Sequence, residues 1–140
     1  MNYLLPFFLC LFSVVVQSQE PDMLNDLTSL NWQNRVIIVR EPQTAANAAA
    51  VLGQFAAGIN ERDVIWFVIS GQAIETNYPG DLSADLPDTL VATYAVDDGE
   101  TVLIGKDGGT KLRLNTLDLN ALFSAIDAMP MRQREMKQGR

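Results

Sequence analysis

The chain has 140 residues, 48% of them apolar, with 17 acidic against 10 basic side chains and a net charge of −7. That length supports one domain with a core rather than two, and the apolar content argues against wholesale disorder. The acidic balance argues against a nucleic-acid partner, which usually needs a basic face to neutralise phosphates, and against general attraction to anionic lipid.

Leu4 to Val16 is one apolar run followed by Gln17, Ser18, Gln19 and Glu20. It is shorter than the ~20 residues needed to cross a bilayer and fits a signal-peptide core. Val16 and Ser18 suit the small-residue cleavage rule, so residues 1–18 are read as a signal peptide cut before Gln19. Met1-Asn2-Tyr3 carries no Lys or Arg, which is a weak start for such a segment, and an uncleaved anchor or a buried helix is the other reading. Secretion, periplasmic or extracellular, is the expectation, with no membrane attachment after cleavage. Cys10 is the single cysteine and His is absent from the chain. A cleaved chain therefore has no disulfide, no thiol nucleophile, no Cys or His zinc site and no His general base.

Residues 19–31 form a leader with Leu24, Leu27 and Leu30 at helical spacing, expected as a short helix or turn over one edge of the core. Arg35 to Arg40 is a four-residue apolar run bracketed by arginines. Continuous β-branched residues without alternation predict a strand covered on both faces. Glu41-Pro42 breaks it, and Thr44 is read as the N-cap of the next helix. Ala48, Val51, Leu52, Phe55, Ala56 and Ile59 then define one apolar face of a helix of about four turns. Val64 to Ile69 is a second continuous apolar run, so strand, helix and strand make a right-handed βαβ unit.

Ser70 to Gly80 reads as irregular, with Gly71 and Asn77-Tyr78-Pro79-Gly80 as turn signals. From Glu75 to Glu100 every charged residue is acidic. Leu86-Pro87 opens a short helix carrying Leu90, Val91 and Tyr94. Thr101 to Ile104 reads as a buried strand, Lys106-Asp107-Gly108-Gly109 as a tight turn, and Thr110 to Leu114 as its returning partner. Alternation puts Lys111 and Arg113 on one face of that strand and Leu112 and Leu114 on the other. Asn115 or Thr116 caps a last helix bearing Leu119, Leu122, Phe123 and Ile126, and Pro130 ends or kinks it. Residues 131–140 are a basic C-terminal tail, read as a frayed, solvated end rather than a docking element. Phe55, Leu52, Trp66, Phe67, Leu103, Ile104, Phe123 and Ile126 are expected to share one core.

The order is strand, helix, strand, irregular segment with a short helix, hairpin, helix. It matches a βαβ half followed by a ββα half. The stretches NWQNRVIIV and VLIGKDGGTKLR, with LFSAIDAMPMRQREM after them, resemble a secreted domain-of-unknown-function family. That family occurs as small standalone bacterial proteins and as a domain of vertebrate sushi-repeat and extracellular-matrix proteins. The resemblance implies an α/β thioredoxin-like fold, a central mixed sheet flanked by helices, over residues 32–130. It does not bring thioredoxin chemistry. The strand–helix junction reads Arg40-Glu41-Pro42-Gln43-Thr44 where a redox member carries Cys-x-x-Cys, and Gly99-Glu100 stands where its cis-proline falls.

The same junction is the usual ligand position of such a fold, outside a strand's carboxyl end and at a helix N-terminus. Arg40, Gln43 and Thr44 are therefore the candidate residues for a partner protein or a small anionic ligand, against the plainer reading of a capped turn. Asp97, Asp98 and Glu100 lack the spacing of a calcium loop and read as a solvated turn. No cofactor, metal or catalytic residue is assigned. The chain reads as a non-catalytic binding module. A degenerate redox or carboxylate-dependent enzyme of the cell envelope is the alternative.

Overall fold

The uninterrupted β-branched runs become the two central strands of a mixed α/β domain. The structure, a computed structural model, describes residues 22–42, 44 and 47–140. The expected signal peptide and the beginning of the leader lie outside the described residues. Strand β1 (Arg35–Arg40) is followed by helices α1 (Ala48–Gln54) and α2 (Ala56–Glu61), then β2 (Val64–Ser70) and β3 (Ala73–Thr76). Helix α3 (Leu86–Tyr94), the hairpin β4 (Thr101–Ile104) and β5 (Thr110–Leu114), and helices α4 (Leu119–Asp127) and α5 (Pro130–Lys137) complete it. The sheet order is β3-β2-β1-β4-β5. β1 and β2 run parallel, from Arg35 opposite Val64 to Arg40 opposite Ile69, and the other strands of the sheet pair antiparallel.

Side-chain alternation along β1 divides the apolar residues between two layers. Ile37 and Val39 pack with Leu52, Ile59, Leu103, Leu122 and Ile126 on the face covered by α1, α2 and α4. Val36 and Ile38 pack with Phe67, Leu86, Leu90, Val96 and Ile104 on the other. The single core expected from the sequence is thus two cores separated by the sheet. Trp66 and Phe123 are only partly buried against the first. Phe55 is 45% exposed, because the expected four-turn helix is interrupted there with φ −105° and ψ 23°. The break takes Phe55 out of the apolar face that continuous 3.6-residue periodicity assigns to it. Gly58, just beyond, lets α2 approach α4. An added Cβ would stand 3.1 Å from the Phe123 ring.

At the termini the short turn expected in the leader is present, while other expectations are corrected. Leu24, Leu27 and Leu30 are at most 6% exposed and belong to the α3-side core itself, held through a 3-10 turn at Thr28–Leu30. α4 ends at Asp127, just ahead of Pro130 as expected, but Pro130 also opens a further helix, α5, where its missing N–H costs nothing and its fixed φ suits the first turn. Residues 131–137 are therefore not a frayed tail, and Arg132 is 1% exposed. The last expected cap shifts too: Asp118, rather than Asn115 or Thr116, accepts the Ala121 N–H at 3.0 Å.

The segment expected to be irregular contains β3, turned back through Gly71 at φ 61°. β3 pairs with only the second half of β2. Along the first half, Asn77 substitutes for a strand: its Oδ1 accepts the Trp66 N–H at 2.8 Å and its Nδ2 donates to the Val64 carbonyl at 3.0 Å. Among the described residues no helix is long and apolar enough to cross a membrane.

Candidate functional site

β1 delivers one arginine to each end of the sheet. At its carboxyl end Arg40 is bound into the backbone. Its N–H donates to the Glu100 carbonyl at 3.0 Å and its carbonyl accepts the Gly99 N–H at 2.7 Å. Its Nη1 donates to the Val96 carbonyl at 2.7 Å, and its Nε meets Asp98 Oδ1 at 3.0 Å. Glu41 follows, its N–H held by the Ile69 carbonyl of β2. Pro42 then leads the chain away from the sheet.

Thr44 does not cap the helix as expected. It is exposed, and α1 begins after Asn47, whose own side chain makes no capping bond. The carboxylate of Glu41 does that work, accepting the Asn47 N–H at 3.3 Å and the Ala48 N–H at 3.1 Å. A carboxylate at a helix start satisfies free donors and matches the positive end of the peptide dipoles. The position reserved on sequence grounds for a bound anion is thus filled by the chain's own side chain. Gln43 lies outside the described residues.

Arg40, Glu41 and Pro42 stand between two clefts. One, of about 290 Å³, lies toward α1 and the Asn115–Leu117 turn. The other, of about 380 Å³, lies toward α3 and is lined also by Gln72, Asp88 and Asp98. Gln72 Nε2 reaches the Asp88 carboxylate at 3.2 Å. Glu41, Asp88 and Asp98 line the same cleft as Arg40, and among the described residues Asp98 is the one that pairs with its guanidinium. Glu100, next to them, is turned to other partners. The Asp97 N–H bonded to its carboxylate, with Arg113 beside it, holds its carboxyl below the usual range against the opposing effect of burial.

The opposite end of β1 holds what the sequence reading missed. Arg35 is fully buried, and its guanidinium forks onto Glu135 of α5 at 3.1 and 3.2 Å. Lys106, expected only as part of a tight turn, is 8% exposed; its Nζ joins Glu135 at 2.7 Å and Asp63 at 2.9 Å. Arg132 reaches Glu61 at 2.8 Å and Asp127 at 3.4 Å, while Arg62 forks onto Asp127 at 2.9 Å through both nitrogens. Arg62 also lies over the Phe123 ring, 4.2 Å from its centre. Four cations and four carboxylates interlock and cancel. Burial raises the Glu135 carboxyl, but the hydrogen bonds from Arg35 and Lys106 prevail and hold it below the usual range. Asp127 is lowered chiefly by its hydrogen bond from Arg62. The one signal available was the charge bracketing β1; nothing in the spacing marks Glu135 as its partner.

A mixed α/β domain with a cleft at the carboxyl end of its first parallel strand, and a locked charge lattice at the other end, is the class this geometry defines. The sequence model of the family described as a domain of unknown function (DUF4174) matches residues 26–135, and the chain belongs to that family. No curated protein and no solved structure matches it.

Proposed function

We propose that this chain is a non-catalytic binding module of thioredoxin-like build, exported by the apolar segment Leu4 to Val16 and working in the periplasm or outside the cell. The order β2-β1-β4-β5, with β1 and β2 parallel and the hairpin antiparallel, supports that build. The observation that carries the reading is the occupied helix start. Where that build puts a thiolate on the first free amides, this chain puts the Glu41 carboxylate, and its single cysteine stands at position 10. Thiol exchange needs a thiolate to attack a disulfide sulfur. The chain from Gln19 onward has none.

Arg40 is the binding residue of this proposal. Its partner Asp98 is 84% exposed, and exposed ion pairs contribute only about 0–1 kcal/mol, so an incoming carboxylate displaces Asp98 at small cost. A protein partner that presents a carboxylate fits better than a free anion, since the surrounding carboxylates repel a small anion that brings no further contacts. The test pairs two measurements on the chain beginning at Gln19. Insulin reduction and peroxide consumption should stay at background; turnover above it would overthrow the non-catalytic reading. Capture of partners from the organism's own envelope fraction should weaken in Arg40→Glu, and equal capture by both forms would remove Arg40 from binding.

A further inference from the structure

A groove larger than either cleft beside Arg40 lies elsewhere, at the amino end of β1 and β2. It measures about 510 Å³ and runs between β2 and the α1–α2 pair. That is within the size range of small-molecule sites, roughly 300–1,000 Å³. Its lining is a half-buried indole, Trp66, with three amides, Asn34, Asn60 and Asn77, and one carboxylate, Asp63. Gly53 and Ala56 keep the helix side of the groove low.

We propose that this groove binds a neutral pyranose saccharide. A sugar ring has an apolar face of C–H groups and a rim of hydroxyls that both donate and accept. An indole supplies apolar area with a single N–H donor, and amides supply donor and acceptor from one group. Two of the polar groups are committed to the fold: Asn77 to the β2 edge, and Asn34 Nδ2 to the Asp63 carbonyl at 3.4 Å. The Asn60 side chain and the Trp66 indole N–H have no partner among the described residues, and neither is sealed from solvent. Asp63 gives one oxygen, Oδ2, to Lys106 and leaves the other to accept. No lysine or arginine lines the groove, and its one carboxylate is already paired with Lys106, so nothing in the lining compensates the charge of a uronic or sulfated sugar and such sugars are disfavoured. Asp63 holds its place at φ 53°, a left-handed backbone that carboxamide and carboxylate residues tolerate better than others. This inference goes beyond the Arg40 proposal and stands at the other end of β1, so either can fail alone.

The chain has two tryptophans, Trp32 and Trp66. In Trp32→Phe, all indole fluorescence reports from the groove. That protein is titrated with cellotriose, maltotriose and chitotriose, and with tri-galacturonate as the anionic arm. Calorimetry on the unsubstituted chain reads the same titration if Trp32→Phe does not fold. At least one neutral trisaccharide should give a saturable change, and tri-galacturonate should give none. Gly53 decides the site. A Cβ there meets nothing within 4 Å, so Gly53→Leu fills the groove while keeping or improving helix stability. It should abolish the response with an unchanged or raised melting temperature. Asn60→Leu should weaken binding about five- to tenfold, the equivalent of one lost hydrogen bond. No saturable response to any neutral probe, an unaltered response in Gly53→Leu, or tighter binding of tri-galacturonate would each overturn the proposal.

Discussion

Arg35 and Arg40 stand at the two ends of β1, and their odd spacing points them to opposite faces of the sheet. Arg35 is sealed beneath α5, forked onto a carboxylate that is itself 12% exposed. Arg40 keeps about a third of its side-chain surface in solvent and faces a carboxylate that is almost wholly hydrated. The same residue type therefore serves as a fixed part of the architecture at one end and as an exchangeable contact at the other. What separates them is the environment of the partner. A desolvated pair is costly to break because the survivor keeps its charge in a poor solvent. A hydrated pair is cheap to break because water replaces the lost partner.

The largest expected effect tests the locked end. Glu135→Ala strands the Arg35 guanidinium and leaves Lys106 with Asp63 alone, and removing one member of a buried pair costs about 3–5 kcal/mol. Urea unfolding measures it, and a midpoint shift no larger than that of a surface substitution would mean the lattice is dispensable. Acid should reveal the same end. The Glu135 carboxyl is lowered in the folded state, so its stabilisation is complete above the unfolded value and is lost as pH falls through the folded one. Asp127 contributes with the same sign. The melting temperature should hold level near neutrality and drop once pH passes below the ordinary carboxylate range. The drop should be shallower in Glu135→Gln.

Smaller effects sharpen the open end. Glu41→Ala removes the one side-chain cap on α1 among the described residues, a loss of about 1 kcal/mol that calorimetry resolves. Asp98→Ala should change stability by less than about 0.5 kcal/mol, as exposed substitutions usually do. A double-mutant cycle on Arg40 and Asp98 should return a coupling at least several-fold below that of Arg35 and Glu135. Equal couplings would erase the distinction between the two ends.

Periodicity made the sheet legible. The strands at Arg35–Arg40, Thr101–Ile104 and Thr110–Leu114 coincide with the runs that β-branched content and the Asp-Gly turn identify. Lys111 and Arg113 face outward while Leu112 and Leu114 turn inward, as alternation requires. β3 escaped because Ala73-Ile74-Glu75-Thr76 holds one large apolar residue, Ile74, which leaves almost no pattern to read. The helix break at Phe55 escaped because periodicity cannot register a local loss of helical dihedrals. The candidate site was legible only in part. Sequence placed Arg40 at the end of a strand, but the capping of α1 by Glu41 depends on the path of the intervening turn. The charge lattice depends on contacts between residues far apart in the chain, which no local pattern encodes.

That separation has a consequence for the order of assembly. Arg35 lies in the first strand of the sheet, and Glu135 is 100 positions further on. Contacts of such range must wait for their loop to close, and they slow folding. While the chain is being synthesised, β1 has no carboxylate from α5 to receive its arginine. A nascent chain that packed β1 early would confine an unpaired cation, a penalty comparable to the whole 5–15 kcal/mol by which domains are stable. Complete packing around Arg35 is therefore deferred until α5 has emerged, and two segments 100 positions apart close the domain together.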